Sequence, residues 1–230
     1  MGYRRTAKWM LSLSWALALP ATASEDAVFQ QVVARAQQLA NAPYEAPESS
    51  LPEALQSLNY DGYRQIRFNP ERAYWHDDSP FSLQLFHSGF LFQTPVALNM
   101  VENGDVVPLD FTTDDFRYDG DASELLEHDL SGSGHAGFRL HYPLNNPDYA
   151  DEFAVFLGAS YFRLVGQHQA YGLSTRGLAI NTASSQGEEF PAFREFWLVT
   201  PDSDAESVTL MALMDSPSLS GAYRFTLTPG

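Results

Sequence analysis

The chain contains no cysteine, which removes disulfides, thiolate metal sites and cysteine nucleophiles together. Positive charge is scarce: 13 Lys+Arg stand against 29 Asp+Glu in 230 residues, a formal net charge of −16. That balance argues against duplex nucleic acid and against anionic membrane surfaces as partners, since both require a basic footprint. Long apolar runs are missing too. The one near the start, residues 9–19, is 11 residues long, short of the ~20 needed to span a bilayer. There is no phosphate loop and no dinucleotide fingerprint. Ser174 lies outside any Gly-x-Ser-x-Gly elbow, so serine-hydrolase chemistry has no support. What is present is apolar material for a core: 44% of residues are hydrophobic and 13% aromatic, a globular rather than disordered composition.

The first 23 residues read as a secretory signal peptide rather than as fold. Arg4, Arg5 and Lys8 form a positive segment, the short apolar run follows, and Ala21-Thr22-Ala23 has the small-x-small form of a cleavage site. Arg4-Arg5 sits in a context too loose for a twin-arginine signal, so Sec export is expected over Tat. Removing these residues takes three cations and no acid, leaving a more acidic chain. A cysteine-free, acidic, exported protein fits a bacterial periplasm or the outside of the cell.

From residue 24 the pattern is first helical. Val28, Val32 and Leu39, with Phe29, Val33, Ala36 and Ala40, form one apolar stripe. Ser24 is placed to cap this helix, and Pro43 and Pro47 end it. A second short helix is expected over 51–58, with Pro52 in its first turn. The period then changes to two. Strands are expected at 63–68, 81–87, 90–98, 106–111, 137–142, 159–165, 178–181, 194–200, 208–214 and 222–228, separated by Gly, Pro, Asn and Asp turns. The acidic stretch 110–129 reads as a surface loop with a short helix. Without crossover helices between strands, this predicts an all-β, mainly antiparallel sandwich preceded by one or two short helices.

Several constellations carry little chemistry. Glu188-Glu189 are adjacent, and adjacent strand residues point to opposite faces, which makes a poor acid/base pair. Asp114, Asp115, Asp119 and Asp121 lack the spacing of a calcium loop. His135, Arg139 and His141 offer two imidazoles without a third ligand. No metal and no cofactor are expected.

The second half is denser in Gly, Tyr and Arg than ordinary strand filler: 156–163 and 171–180, followed by Gly187-Glu188-Glu189-Phe190-Pro191 and Phe193-Arg194-Glu195-Phe196-Trp197. Aromatic rings match the C–H face of a pyranose, and Arg, Glu and Ser serve its hydroxyls. Alternation puts Tyr161 and Arg163 on one face of a strand and Phe162 on the other. The alternative is that the rings fill the core while Arg pairs with Glu at its rim. The candidate sugar contacts are Tyr161, Arg163, Tyr171, Arg176, Glu188 and Trp197, with Trp75 and His87 as outlying members.

The run Leu157-Gly-Ala-Ser-Tyr-Phe-Arg163, then Tyr171-Gly-Leu-Ser-x-Arg-Gly-Leu-Ala-Ile180, then Gly187-Glu-Glu-Phe-Pro191 and Phe196-Trp197 resembles the periplasmic glucans biosynthesis protein G/D family (MdoG/OpgG, OpgD). Ala73-Tyr-Trp75, Phe86-His87-x-Gly89, Ala136-Gly-Phe-Arg139 and Asp215-Ser-Pro217 agree. The resemblance extends over nearly all of the chain after residue 23 and is closer to the G branch. His135 departs from it, standing where the family usually has an aromatic.

The resemblance implies a β-sandwich of the galactose-mutarotase type, here incomplete, with residues 24–230 as the N-terminal portion of that domain. It implies a periplasmic role in making osmoregulated periplasmic glucans, with a β-1,2-linked glucan or gluco-oligosaccharide as partner. The D branch resembles inverting endo-β-1,2-glucanases, whose acid and base flank the scissile bond. By that resemblance the acidic pair lies beyond Gly230, so no catalytic residue is assigned here. The alternative expectation is a truncated carbohydrate-binding fragment without catalysis of its own.

Overall fold

A computed structural model describes residues 21–49 and 51–230. The charged and apolar segments of the expected signal peptide lie outside the described residues. Helix α1 (Ala21–Ala40) runs through Ser24, which therefore sits within the helix and not at its cap. Val28, Val32 and Ala36, one turn apart, form its buried stripe, while Leu39 is exposed. The second expected helix is one turn, α2 (Glu53–Gln56), with Pro52 as N-cap. Another single turn, α3 (Tyr60–Tyr63), capped by the Asn59 side chain, occupies the start of the strand expected at 63–68. Only β1 (Ile66–Phe68) of that strand forms.

Eleven further strands follow: β2 (Ser82–His87), β3 (Ala97–Glu102), β4 (Asp105–Pro108), β5 (Phe116–Tyr118), β6 (His135–Asn146), β7 (Tyr149–Leu157), β8 (Tyr161–Leu164), β9 (Thr175–Arg176), β10 (Ala192–Val199), β11 (Val208–Ser216) and β12 (Leu219–Leu227). They make two five-stranded sheets, β12-β11-β10-β3-β4 and β2-β6-β7-β8-β9, and a small β1-β5 ribbon. All pairings are antiparallel except β3 with β10. The sandwich expected from periodicity is present. Residues 178–181 form no strand, only an isolated bridge between Ile180 and Glu189. Residues 90–92 turn back through a Gly89–Phe92 bridge. The acidic stretch holds β5 and a 3-10 helix, Gly120–Glu127.

Aromatic side chains fuse the two sheets. Phe138 and Phe156 from the second sheet meet Phe196 from the first edge to face, at 5.0 and 5.5 Å, and Phe162 meets Phe225 at 5.5 Å. The first sheet is covered on both faces. Leu210, Ala212 and Met214 of β11 point into the sandwich, whereas Met211 and Leu213 point to α1. This is why β11 reads as an unbroken apolar run, although alternation still governs where each side chain goes. The outer face of the second sheet carries no such cover among the described residues.

One glycine in the second sheet is required by geometry. Gly137 has φ +154°, and a Cβ there would overlap the Phe156 carbonyl oxygen on the neighbouring strand.

Candidate functional site

The uncovered face of the β2-β6-β7-β8-β9 sheet is where polar and aromatic groups converge. Gln84, Arg139, Val155 and Arg163 are successive cross-strand partners on β2, β6, β7 and β8. At the centre stands Glu152 of β7. Its carboxylate accepts from Arg139 Nη1 at 3.1 Å, from Arg163 Nη2 at 3.4 Å and from the Tyr171 hydroxyl at 3.2 Å. Arg139 also donates Nε and Nη2 to Gln84 Oε1, at 3.1 and 2.7 Å. Two guanidinium groups lie over rings, Arg139 above Phe86 at 5.5 Å and Arg163 above Tyr171 at 4.6 Å. These pairs are partly shielded from water, so they hold their geometry better than surface ion pairs. Burial, and after it the Glu152 carboxylate, pushes the Tyr171 hydroxyl above its ordinary range. His141, opposite Glu152, is pushed down to about 4 by burial first and then by Arg139.

Beside this array the sheet ends in a groove. It encloses about 470 Å³ and is lined by Leu91, Phe92, Leu157, Tyr161, Arg163 and Ser174, among others. The Gly158–Ser160 turn forms its end. Gly158 has φ +76°, and a side chain there would strike the Phe92 ring at 2.9 Å, so the groove exists in this form only with glycine at its rim. Arg176 of β9 is ion-paired with Glu188, a bond that raises its affinity for the proton further, and lies 5.7 Å from both the Tyr161 and the Phe190 rings.

Five of the expected sugar contacts, Tyr161, Arg163, Tyr171, Arg176 and Glu188, thus stand on one face and its rim. The other three do not. Trp197 alternates with Phe196 and points to the side of its sheet that α1 covers. It is 5% exposed, beneath Arg35 at 5.6 Å. Trp75, 9% exposed, is part of the sandwich core. His87, 3% exposed, contacts the Phe111, Phe116 and Tyr118 rings, with Nε2 at 3.0 Å from the Tyr118 hydroxyl. Burial pushes it down to about 4, so it is neutral near pH 7. None of these three rings offers an open face for stacking.

The hub of the site, Glu152, went unnoticed in the sequence, as did Gln84 and the opposite wall at Leu91 and Phe92. Glu188 and Glu189 do diverge: Glu188 holds Arg176, and Glu189 accepts from the Ser218 amide and hydroxyl. Asp115 pairs with Arg72 and Asp119 with Arg67, dispersing the acidic stretch. Glu152, Glu188 and Glu189 are all engaged by donors. The arrangement presents held guanidinium groups, hydroxyls and ring faces, chemistry that can grip a hydroxyl-rich ligand.

Fold and site together define a β-sandwich protein with one open, ring-and-arginine-lined sheet face. Residues 28–230 match the family described as periplasmic glucan biosynthesis protein, MdoG, and the chain belongs to that family. It is 49% identical over 219 residues to Glucans biosynthesis protein G of Rhodopseudomonas palustris strain BisA53, covering 93% of this chain and 43% of that protein. Identity to the protein of the same name from Vibrio cholerae O395 is 49% over 202 residues, 86% of this chain and 36% of the relative. For Pseudomonas paraeruginosa PA7 it is 45% over 222 residues, 96% and 42%. The chain therefore spans about two fifths of the length of these curated relatives. Among the described residues, no helix is long and apolar enough to cross a membrane.

Proposed function

We propose that this chain acts in periplasmic glucan biosynthesis by supplying one wall of a glucan-binding cleft, with a β-1,2-linked glucose backbone as its ligand. The observation that carries this reading is the Arg139–Glu152–Arg163–Tyr171 array beside the Tyr161 groove, on the sheet face that no described element covers. Glucose residues would lay their C–H faces on Tyr161 and Tyr171 while the arginines bond hydroxyls. The engaged state of Glu152, Glu188 and Glu189 favours binding over bond cleavage within this segment. Cleavage or extension of the glucan would then need carboxylates from elsewhere in a longer protein. Membership of a family described as periplasmic supports the same compartment for this chain.

The test is calorimetric titration of the chain with linear β-1,2-gluco-oligosaccharides. Saturable binding is expected, weakened about tenfold or more by Arg163→Ala or Tyr171→Ala, the usual scale for losing a charge-assisted or stacking contact. Binding that survives both substitutions unchanged would move the ligand off this face. Hydrolysis of the oligosaccharide by the chain alone would overturn the division between binding and chemistry.

A further inference from the structure

The described residues include ten arginines and no lysine. Eight of the ten are ion-paired: Arg35, Arg67, Arg72, Arg117, Arg139, Arg163, Arg176 and Arg224. Arg64 lies over the Tyr60 ring at 5.6 Å. Arg194 alone among them has neither a carboxylate nor a ring, in a chain where acids outnumber cations 29 to 13. It is half-buried, and its Nη1 is fully buried with no hydrogen-bond partner. Leaving such a donor unpaired is costly, and in a protein with this excess of carboxylates a partner would be easy to provide.

The backbone explains how Arg194 comes to stand apart. The β10–β11 register shifts between Phe193 and Glu195, so Arg194 is the extra residue of a bulge and leaves the alternation of its strand. Bulges often re-aim one side chain in this way. Arg194 lines a small cavity of about 60 Å³ together with Pro47, Pro95, Gly137, Leu157 and Tyr161. Leu157, Gly158, Ala159 and Tyr161 line this cavity and the 470 Å³ groove alike, so the two adjoin at Tyr161. At the far side of the groove the Nε of Arg163 is likewise buried without a partner.

We propose that Arg194 is an anion-recognition point at the end of this groove, taking a carboxylate or a phosphate group. Its planar fork of donors matches either group, and the partly desolvated setting strengthens the contact. The anionic group belongs either to a substituent on a bound saccharide or to a free small anion. Only the first source rests on reading the groove as a saccharide site.

The experiment uses the native chain labelled with 15N at its arginine side chains and titrated with inorganic phosphate, then with acetate, at ionic strength held constant with sodium chloride. Saturable shifts of the Arg194 guanidinium resonance are expected, with a rise in melting temperature. Arg194→Gln abolishes both effects, and Arg194→Lys retains a weaker, non-bidentate interaction. No saturable shift in the native chain, or an equal melting rise in R194Q, would overturn the proposal, and the native titration decides without relying on any variant's fold.

A second arm compares a neutral gluco-oligosaccharide with the same oligosaccharide ending in a uronate. About tenfold tighter binding of the uronate form, lost in R194Q, assigns the anion to the saccharide. Equal saccharide binding alongside Arg194-dependent phosphate binding assigns it to a free anion. Phosphate binding with no saccharide binding at all keeps the anion point and refutes the glucan cleft.

Discussion

The two sheets of the sandwich differ in what lies on their outer faces. The β12-β11-β10-β3-β4 sheet has the sandwich core on one side and α1 on the other, with Trp197, Met211 and Leu213 sealed beneath Val28, Val32 and Ala36. Its polar outliers are structural. Glu195 is held by Arg35 and by Asn99 Nδ2, the latter at 2.8 Å, and Arg224 pairs with Asp26 at 2.7 Å while lying over Phe29. The β2-β6-β7-β8-β9 sheet has the same core on its inner side, but its outer side carries arginines, a glutamate and tyrosines arranged round a groove. The same residue types, Arg with Trp or Tyr, therefore serve helix docking on one sheet and line an uncovered, grooved surface on the other. Residue type does not decide between these uses. The presence or absence of a covering element does.

Substitutions across the two sheets test this contrast. Trp197→Ala is expected to destabilise by about 3–5 kcal/mol, the cost of emptying a large buried aromatic site, while leaving oligosaccharide affinity unchanged. Denaturant melts and calorimetry measure the two quantities. A small stability loss with weakened binding would place Trp197 on the ligand side after all.

The buried histidines give the next largest effect. Burial pushes both His87 and His135 down to about 4 from an ordinary 6.5, so the unfolded chain takes up protons first as pH falls. Stability is therefore full above pH ~6.5 and declines towards pH ~4, by up to about 2–3 kcal/mol for each residue. Urea melts from pH 7 to 4.5 should show this decline, and His135→Phe should lessen it by the share of that one residue. A pH-independent midpoint would mean these rings are hydrated.

Glu152→Gln on the open face should cost only about 1–2 kcal/mol of stability, since its partners Arg139 and Arg163 still reach water. Oligosaccharide affinity should fall more than stability, because two arginines and Tyr171 lose their common anchor. A large stability loss with intact binding would make Glu152 a core-type residue and erase the distinction between the sheets.

Much of this architecture was legible in the sequence because single faces were periodic. β2 and β12 alternate, and α1 carries Val28, Val32 and Ala36 one turn apart. Strand β7 was not legible. It opens with Tyr149-Ala150-Asp151-Glu152 and then runs Phe153-Ala154-Val155-Phe156-Leu157. The register shift opposite Leu140 and His141 lets Phe153 and Ala154 both join the core, so period two is broken at its middle. Glu152 was lost with it, since its importance comes from partners on β6, β8 and the loop at Tyr171. Tyr161 and Arg163 could be assigned to one face because β8 alternates cleanly, with Phe162 packed on Phe156 and Phe225. Trp197 misled for the opposite reason. In a strand buried on both sides, alternation says which residues share a face but not which face meets solvent, and only the position of α1 resolves that.

The parallel pairing of β3 with β10 also bears on how the molecule assembles. Asn99 of β3 donates from its side chain to the Phe196 carbonyl of β10, across 97 positions of sequence. The hairpins β6–β7 and β11–β12 close over short loops, whereas the central seam of the first sheet must wait until both distant segments have been made and brought together. Long-range closure of this kind slows folding. The slow step should therefore be the joining of this seam, which brings Trp197 of β10 and Val101 of β3 together beneath α1.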